Sequence, residues 1–250
     1  MRLLWPNRRV CISHCPGKVL GDRCTGCPAR FRIISDLLEA HALGKAGYDM
    51  LGGYMSPVND AYQKKGLAPA QQRVEMCKLA AESSDIVTVD SWEAQQPTYQ
   101  RSLKVLQRVK SVLHEYLSET DSASLSARSE HADSSTEIRV MLLCGADMVE
   151  SLVLPNVWQP EHVQTILGDH GVVCISRELS DVKQIMEDPA SVLHQHRANI
   201  ILVEDPIVNN ISSTIVRQEI SQGRSIRYLV PDAVIDYIQD HLLYSNSIAA

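Results

Sequence analysis

From residue 48 onward, short apolar runs alternate with longer stretches whose apolar residues recur every three or four positions. The runs at 50–55, 86–89, 139–144, 171–176 and 199–204 are apolar almost throughout. Such runs predict strands buried on both faces of a parallel sheet. Between them, Val74, Cys77, Leu79 and Ala80 follow Pro69 at helical spacing, and Leu103, Leu106, Val109 and Leu113 mark a second helix. A third runs over 160–167. Pro69, Pro160 and Pro231 stand where a first helical turn tolerates proline. Strands separated by helices of this size predict βαβ units and a doubly wound α/β sheet.

Two segments break the alternation. Residues 118–137 hold seven serines and almost no apolar side chain, and read as a mobile surface loop between a helix and the strand at 139–144. The stretch 212–244 is helical in pattern throughout, with Gly223 as a helix end and Pro231 as a second start. The first 42 residues fit neither period. Ile33, Ile34, Leu37, Leu38 and His41 share one helical face, and only Val10, Cys11, Ile12 and Ser13 resemble a strand. A doubly wound sheet normally begins with its central strand and a phosphate-binding turn. Here that strand and turn read as missing or degraded. The expected organisation is an atypical leader at 1–42, one domain at 43–244 and a tail at 245–250.

Composition narrows the classes. The 250 residues are ample for a buried core, and 44% hydrophobic with 22% charged residues is ordinary globular usage. No apolar run reaches the ~18 residues of a membrane span, so no membrane partner is expected. A net charge of −6 argues against nucleic acid as the main partner, because phosphate backbones reward clustered cations. Met1 to Arg9 shows no secretory signal, so the cytosol or the nucleus is the expected compartment. The composition is compatible with a homo-oligomer.

Seven cysteines are unevenly spread. Cys77, Cys144 and Cys174 sit in apolar or periodic surroundings, as buried thiols do. Cys11, Cys15, Cys24 and Cys27 crowd the start, but their spacing is poor for tetrahedral zinc, and no metal site is expected there.

The strongest chemical signal is Ser212-Ser213-Thr214-Ile215-Val216-Arg217, after a strand and opening a helix. Hydroxyls at a helix start cap free amides, and the amides with the helix dipole attract anions. Arg217 lies three residues past Thr214, on the same side one turn along. The segment is either a phosphate grip or a plain cap with a solvated arginine. Lys64 and Lys65 follow the strand at 50–55, where loops line the binding crevice of an α/β sheet; they meet phosphate or remain solvated. Gly145 ends a buried strand and allows close backbone approach, while Asp147 is either a ribose or amide acceptor or a helix cap. Trp92, Tyr99 and Trp158 stand out among 5% aromatics, as stacking platforms or as packing.

Taken together, these segments resemble the nicotinamide mononucleotide adenylyltransferases of the eukaryotic type, from about residue 43 to 244. The resemblance rests on Tyr54-Met55-Ser56-Pro57-Val58-Asn59-Asp60-Ala61-Tyr62 with Lys64-Lys65-Gly66-Leu67, on Val89-Asp90-Ser91-Trp92-Glu93, and on LLCGADMVES at 142–151. It continues through Pro155-Asn156-Val157-Trp158, ISSTIVR at 211–217 and SIRYLVPD at 225–232. It implies a Rossmann-like nucleotidyltransferase fold. The implied activity joins the AMP part of ATP, taken with Mg²⁺, to nicotinamide or nicotinic acid mononucleotide, releasing pyrophosphate.

By that resemblance Ser212, Ser213, Thr214 and Arg217 hold the ATP phosphates with Lys64, and Arg217 and Lys64 carry the catalytic charge. Trp158 and Tyr99 flank the pyridine ring, and Gly145, Asp147, Val157, Ser102, Asp205 and Asn209 contact the nucleotide. One departure stands out. The family's first strand runs into a Gly-Ser/Thr-Phe-Asn-Pro turn followed by a histidine, whereas the single phenylalanine here is Phe31. An enzyme therefore stands beside an alternative, an inactive homologue that retains mononucleotide binding or acts as a folding partner.

Overall fold

The computed structural model describes residues 8–14, 48–62, 66–84, 86–124, 138–176, 180–204 and 211–245. Numbered along those residues, the strands are β1 (Arg8–His14), β2 (Tyr48–Met55), β3 (Val87–Val89), β4 (Ile138–Gly145), β5 (Val172–Ser176) and β6 (Ile200–Glu204). The helices are α1 (Ala70–Ala81), α2 (Ser102–Ser124), α3 (Ala146–Ser151), α4 (Pro160–Thr165), α5 (Ser180–Glu187), α6 (Val192–Gln195), α7 (Ser213–Ser221) and α8 (Asp232–Asp240). All neighbouring strands run parallel, in the order β3-β2-β1-β4-β5-β6. This is the Rossmann-like doubly wound sheet, and its order reverses between β1 and β4, where such sheets open their ligand crevice.

The first strand is present, which corrects the expectation that it is missing or degraded. Arg8–His14 occupies the centre of the sheet, pairing with β2 from Arg8↔Tyr48 to His14↔Met55 and with β4 from Arg9↔Ile138 to His14↔Leu143. Its backbone groups are supplied with partners on both sides, as a buried strand requires. The turn that follows, from Cys15 onward, lies outside the described residues, as do the helical face at 33–41 and the cysteines Cys15, Cys24 and Cys27.

The apolar runs form the elements they predict. In β4, every residue except Arg139 is buried, because helices cover both faces. One face packs Leu142 and Cys144 against Leu106, Val109, Ile166 and Leu193. The other packs Met141 and Leu143 against Cys77, Val87 and Val173. Burying such side chains stabilises by about 1.5–3 kcal/mol each. Cys77, Cys144 and Cys174 are buried free thiols, as expected. Burial, with lesser contributions from Asp147 and Glu150, pushes the Cys174 thiol up to about 12.

Two boundaries differ from the pattern, and a third does not. The helix after Ser102 runs on to Ser124, into the serine-rich segment; residues 125–137 lie outside the described ones. α4 leads into a π-turn, Ile166–His170, that ends at Gly171 with φ +87°. A β-carbon there would lie 2.8 Å from the Asn199 carbonyl oxygen, so the close approach of the two segments requires glycine. The C-terminal stretch is two helices, ending before Gly223 and restarting after Pro231 as expected, joined by a turn in which Arg227 bridges to Val230. Val216, Ile226, Val234 and Ile238 pack that pair onto Ala68, Met76 and Ala80 of the α1 region.

Candidate functional site

Each described candidate residue stands at or after the carboxyl end of a strand in the sequence. The sheet therefore gathers segments far apart in sequence along one edge, beside the β1/β4 switch point. Tyr99 and Ser102 come after β3, Gly145, Asp147, Val157 and Trp158 after β4, and residues 212–217 after β6. Lys64, Lys65, Asp205 and Asn209 lie outside the described residues.

The start of α7 has the chemistry of an anion site. Ser212 is the cap: its hydroxyl accepts the Ile215 amide at 3.2 Å. Ser213 is 5% exposed, and its Oγ has no hydrogen-bond partner among the described residues. Such a group is normally paired. The Arg217 guanidinium donates to Thr214 Oγ1 at 3.3 Å, which holds the cation over the helix start. A β-carbon on Gly66 would lie 4.0 Å from Arg217 Nε, so the end of the lysine loop meets the arginine of α7. Gly66 therefore lies beside α7, because the C-terminal helices pack on α1 next to it.

The aromatic candidates divide. The Tyr99 ring stacks on Tyr62, with centroids 5.9 Å apart at 29°. The Trp158 indole donates through Nε1 to Ser151 Oγ at 3.0 Å, and the ring leans on the core under β4. Val157, beside it, is 43% exposed. Trp92 is committed elsewhere: Arg108 Cζ lies 5.1 Å and Lys104 Nζ 5.9 Å from its ring centroid, and Arg108 pairs with Asp90. Ser102 opens α2 and is buried. Gly145, not Asp147, occupies the cap position of α3, and Asp147 sits in the first turn, where a carboxylate suits the helix dipole.

Sequence reasoning passed over the residues that hold these loops in place. Asp60 accepts the Ala70 amide at 3.0 Å and pairs with the fully buried Arg73 at 2.7 Å, capping α1 from ten residues upstream. A signal for it existed: Pro69 at the helix start offers no side-chain cap of its own. Ser56 donates to the buried carboxylate of Glu93 at 2.8 Å. Asn59 accepts the Ala61 amide at 2.7 Å and donates to the Ala94 carbonyl at 3.3 Å and to the Gln96 carbonyl.

The parallel sheet in this order accords with the cytidylyltransferase-like class, and the model of that family matches residues 38–219. Over 209 residues the chain is 46% identical to the nicotinamide/nicotinic acid mononucleotide adenylyltransferase of Arabidopsis thaliana, spanning 84% of this chain and 82% of that one. The protein of the same name from Oryza sativa is 46% identical over 256 residues, 99% of this chain and 96% of the other. Nicotinamide/nicotinic acid mononucleotide adenylyltransferase 1 of Bos taurus is 37% identical over 233 residues, covering 85% and 83%. The chain belongs to the nicotinamide/nicotinic acid mononucleotide adenylyltransferase family.

Proposed function

We propose that this chain joins the AMP part of ATP to nicotinamide or nicotinic acid mononucleotide, making the dinucleotide and pyrophosphate in NAD biosynthesis. The observation that carries the reading is the Ser213 hydroxyl, buried and without a partner among the described residues at the start of α7, the helix on which Arg217 donates to Thr214. In the reaction a phosphate oxygen of the mononucleotide attacks the α-phosphorus of ATP, and the bond from that phosphorus to the bridging oxygen breaks as pyrophosphate leaves. The attacking phosphate is already a nucleophile, so positioning and charge neutralisation do the work. Ser212, Ser213, Thr214 and Arg217, with Lys64, hold the triphosphate; Arg217 and Lys64 offset the charge that develops on the leaving group. Tyr99 and Trp158 flank the pyridine. Ser102, Gly145, Asp147, Val157, Asp205 and Asn209 contact the rest of the mononucleotide.

Mg²⁺ bound with ATP would neutralise charge on the triphosphate. The ion prefers oxygen ligands, keeps several waters and rides on substrate phosphates; the Ser213 hydroxyl is an oxygen donor of that type at the same helix start. The alternative of an inactive homologue drew on the absent Gly-x-Phe-x-Pro turn; β1 holds the central place in the sheet, and the residues that follow it lie outside the described ones. No described helix is long and apolar enough to cross a membrane. The same reading has the chain act in the cytosol or the nucleus, apart from nucleic acid and membranes, with a homo-oligomer compatible with its composition.

A coupled assay for dinucleotide from ATP, mononucleotide and Mg²⁺ tests this. The folded chain should turn over, and Arg217→Ala should reduce the rate by about 10²–10³-fold, as loss of one electrostatic donor does. A folded wild-type chain that forms no dinucleotide overturns the reading.

A further inference from the structure

We infer that Asn59 is a positioning residue, whose side chain sets the ATP-side loop against the mononucleotide-side loop so that the two substrates meet in line; the inference rests on the proposed reaction. Asn59 lies four residues past β2, in the loop that continues through Tyr62 toward Lys64. Its partners Ala94 and Gln96 lie after β3, in the segment that continues to Tyr99 and Ser102. One side chain thus crosses between segments 35 and 37 residues apart in sequence.

The chemistry is saturated on both ends of the amide. Oδ1 accepts the Ala61 amide at 2.7 Å, which fixes the turn Asp60–Tyr62 on its own side. Both Nδ2 hydrogens go to carbonyl oxygens across the gap, at Ala94 and Gln96. With its side chain donating two hydrogen bonds and accepting one, Asn59 is 5% exposed, so water does not compete. Only an amide supplies this set; a carboxylate of the same shape would face two carbonyl oxygens with no hydrogen to give. Downstream of the bridge, the Tyr62 ring lies against Tyr99. The Ser56–Glu93 bond at 2.8 Å joins the same two loops nearer the strands. It leaves Asn59 to fix their outer parts.

In the proposed reaction Lys64 on one loop serves ATP, while Tyr99 and Ser102 on the other serve the mononucleotide. Both must be in register for the mononucleotide phosphate to lie opposite the α-phosphorus, and misplacement of about 1 Å costs ~10²-fold in rate. The loss therefore falls on turnover rather than on affinity.

The test compares wild type, Asn59→Asp and Ser56→Ala, with ATP and nicotinamide mononucleotide as the probes. Calorimetry gives each binary affinity, the coupled assay gives kcat, and far-ultraviolet dichroism with thermal melting reports the fold. Asn59→Asp should lower kcat by about 10²-fold while each binary Kd changes by less than about threefold. Ser56→Ala should show the same split at roughly tenfold, and it carries the test if Asn59→Asp does not fold. Wild-type kcat in a folded variant, or a fall in rate matched by an equal fall in one substrate's affinity, overturns the inference. An inactive wild type instead removes the proposed reaction on which it rests.

Discussion

Ser213→Ala should make the free protein more stable and the enzyme worse. In the free chain the hydroxyl is 5% exposed and has no partner among the described residues. An unpaired buried polar group costs about 1–3 kcal/mol, and alanine removes it while improving helix propensity by a few tenths of a kcal/mol. A gain of about 1 kcal/mol raises Tm by roughly 2–4 °C in a chain of this length. With ATP the sign reverses. A hydrogen bond to a charged phosphate is worth about 1.5–3 kcal/mol, so the variant should bind ATP roughly 10–150-fold more weakly. At ATP about 100-fold above the wild-type Kd, binding stabilises wild type by about 2.7 kcal/mol. A variant that binds 100-fold more weakly gains only about 0.4 kcal/mol. Melting curves with and without Mg-ATP should therefore cross: the variant melts higher alone and lower with nucleotide. A variant that melts several degrees lower without ATP refutes the unpaired hydroxyl. Equal ATP stabilisation of both proteins refutes its role in binding.

Trp158→Ala should weaken mononucleotide binding by about 0.5–1.5 kcal/mol beyond its lost contact area, read by calorimetry; unchanged affinity removes the indole from the pocket. Gly171→Ala should cost about 2–4 kcal/mol, since left-handed strain adds to the 2.8 Å approach to the Asn199 carbonyl. Gly223→Ala, at φ +69° with open space around it, should cost only about 1–2 kcal/mol; denaturant midpoints separate the two, and equal losses would discredit the close approach. His170 is lowered by burial first, with Lys110 and Arg139 adding and the Val140 carbonyl and Asp169 opposing. A lowered folded-state value means its contribution is present above the ordinary 6.5 and is lost as the pH falls below it. Tm should drop on that acid side, and less steeply in His170→Asn, which keeps a donor for Val140; equal slopes would exclude His170 as the cause.

What was legible in the sequence follows from where each segment finds its partners. β4 and β5 announce themselves because burial on both faces leaves continuous apolar runs. α1 and α4 show their starts through Pro69 and Pro160. β1 hid because its apolar stretch is short and flanked by Arg8 and Arg9, while its place is decided by the edges that β2 and β4 present. α2 overran the serine-rich boundary because a helix already nucleated on Leu103, Leu106 and Val109 propagates at little further cost. At the site, the helix start at Ser212 was readable, since a cap acts within three residues. Asn59 and Asp60 were not, because they bond to groups ten to 37 residues away, which no local period reveals.

The central place of β1 also bears on how the chain is made. β1 leaves the ribosome early, but the strand that fills its second edge, β4, lies about 130 residues later. At ~5–20 residues per second, that edge waits on the order of ten seconds with backbone donors and acceptors unpaired. An open edge of this kind recruits other strands. Slower synthesis lengthens the wait and faster synthesis shortens it. The yield of folded protein should therefore respond to translation rate across residues 15–137 more than to temperature alone.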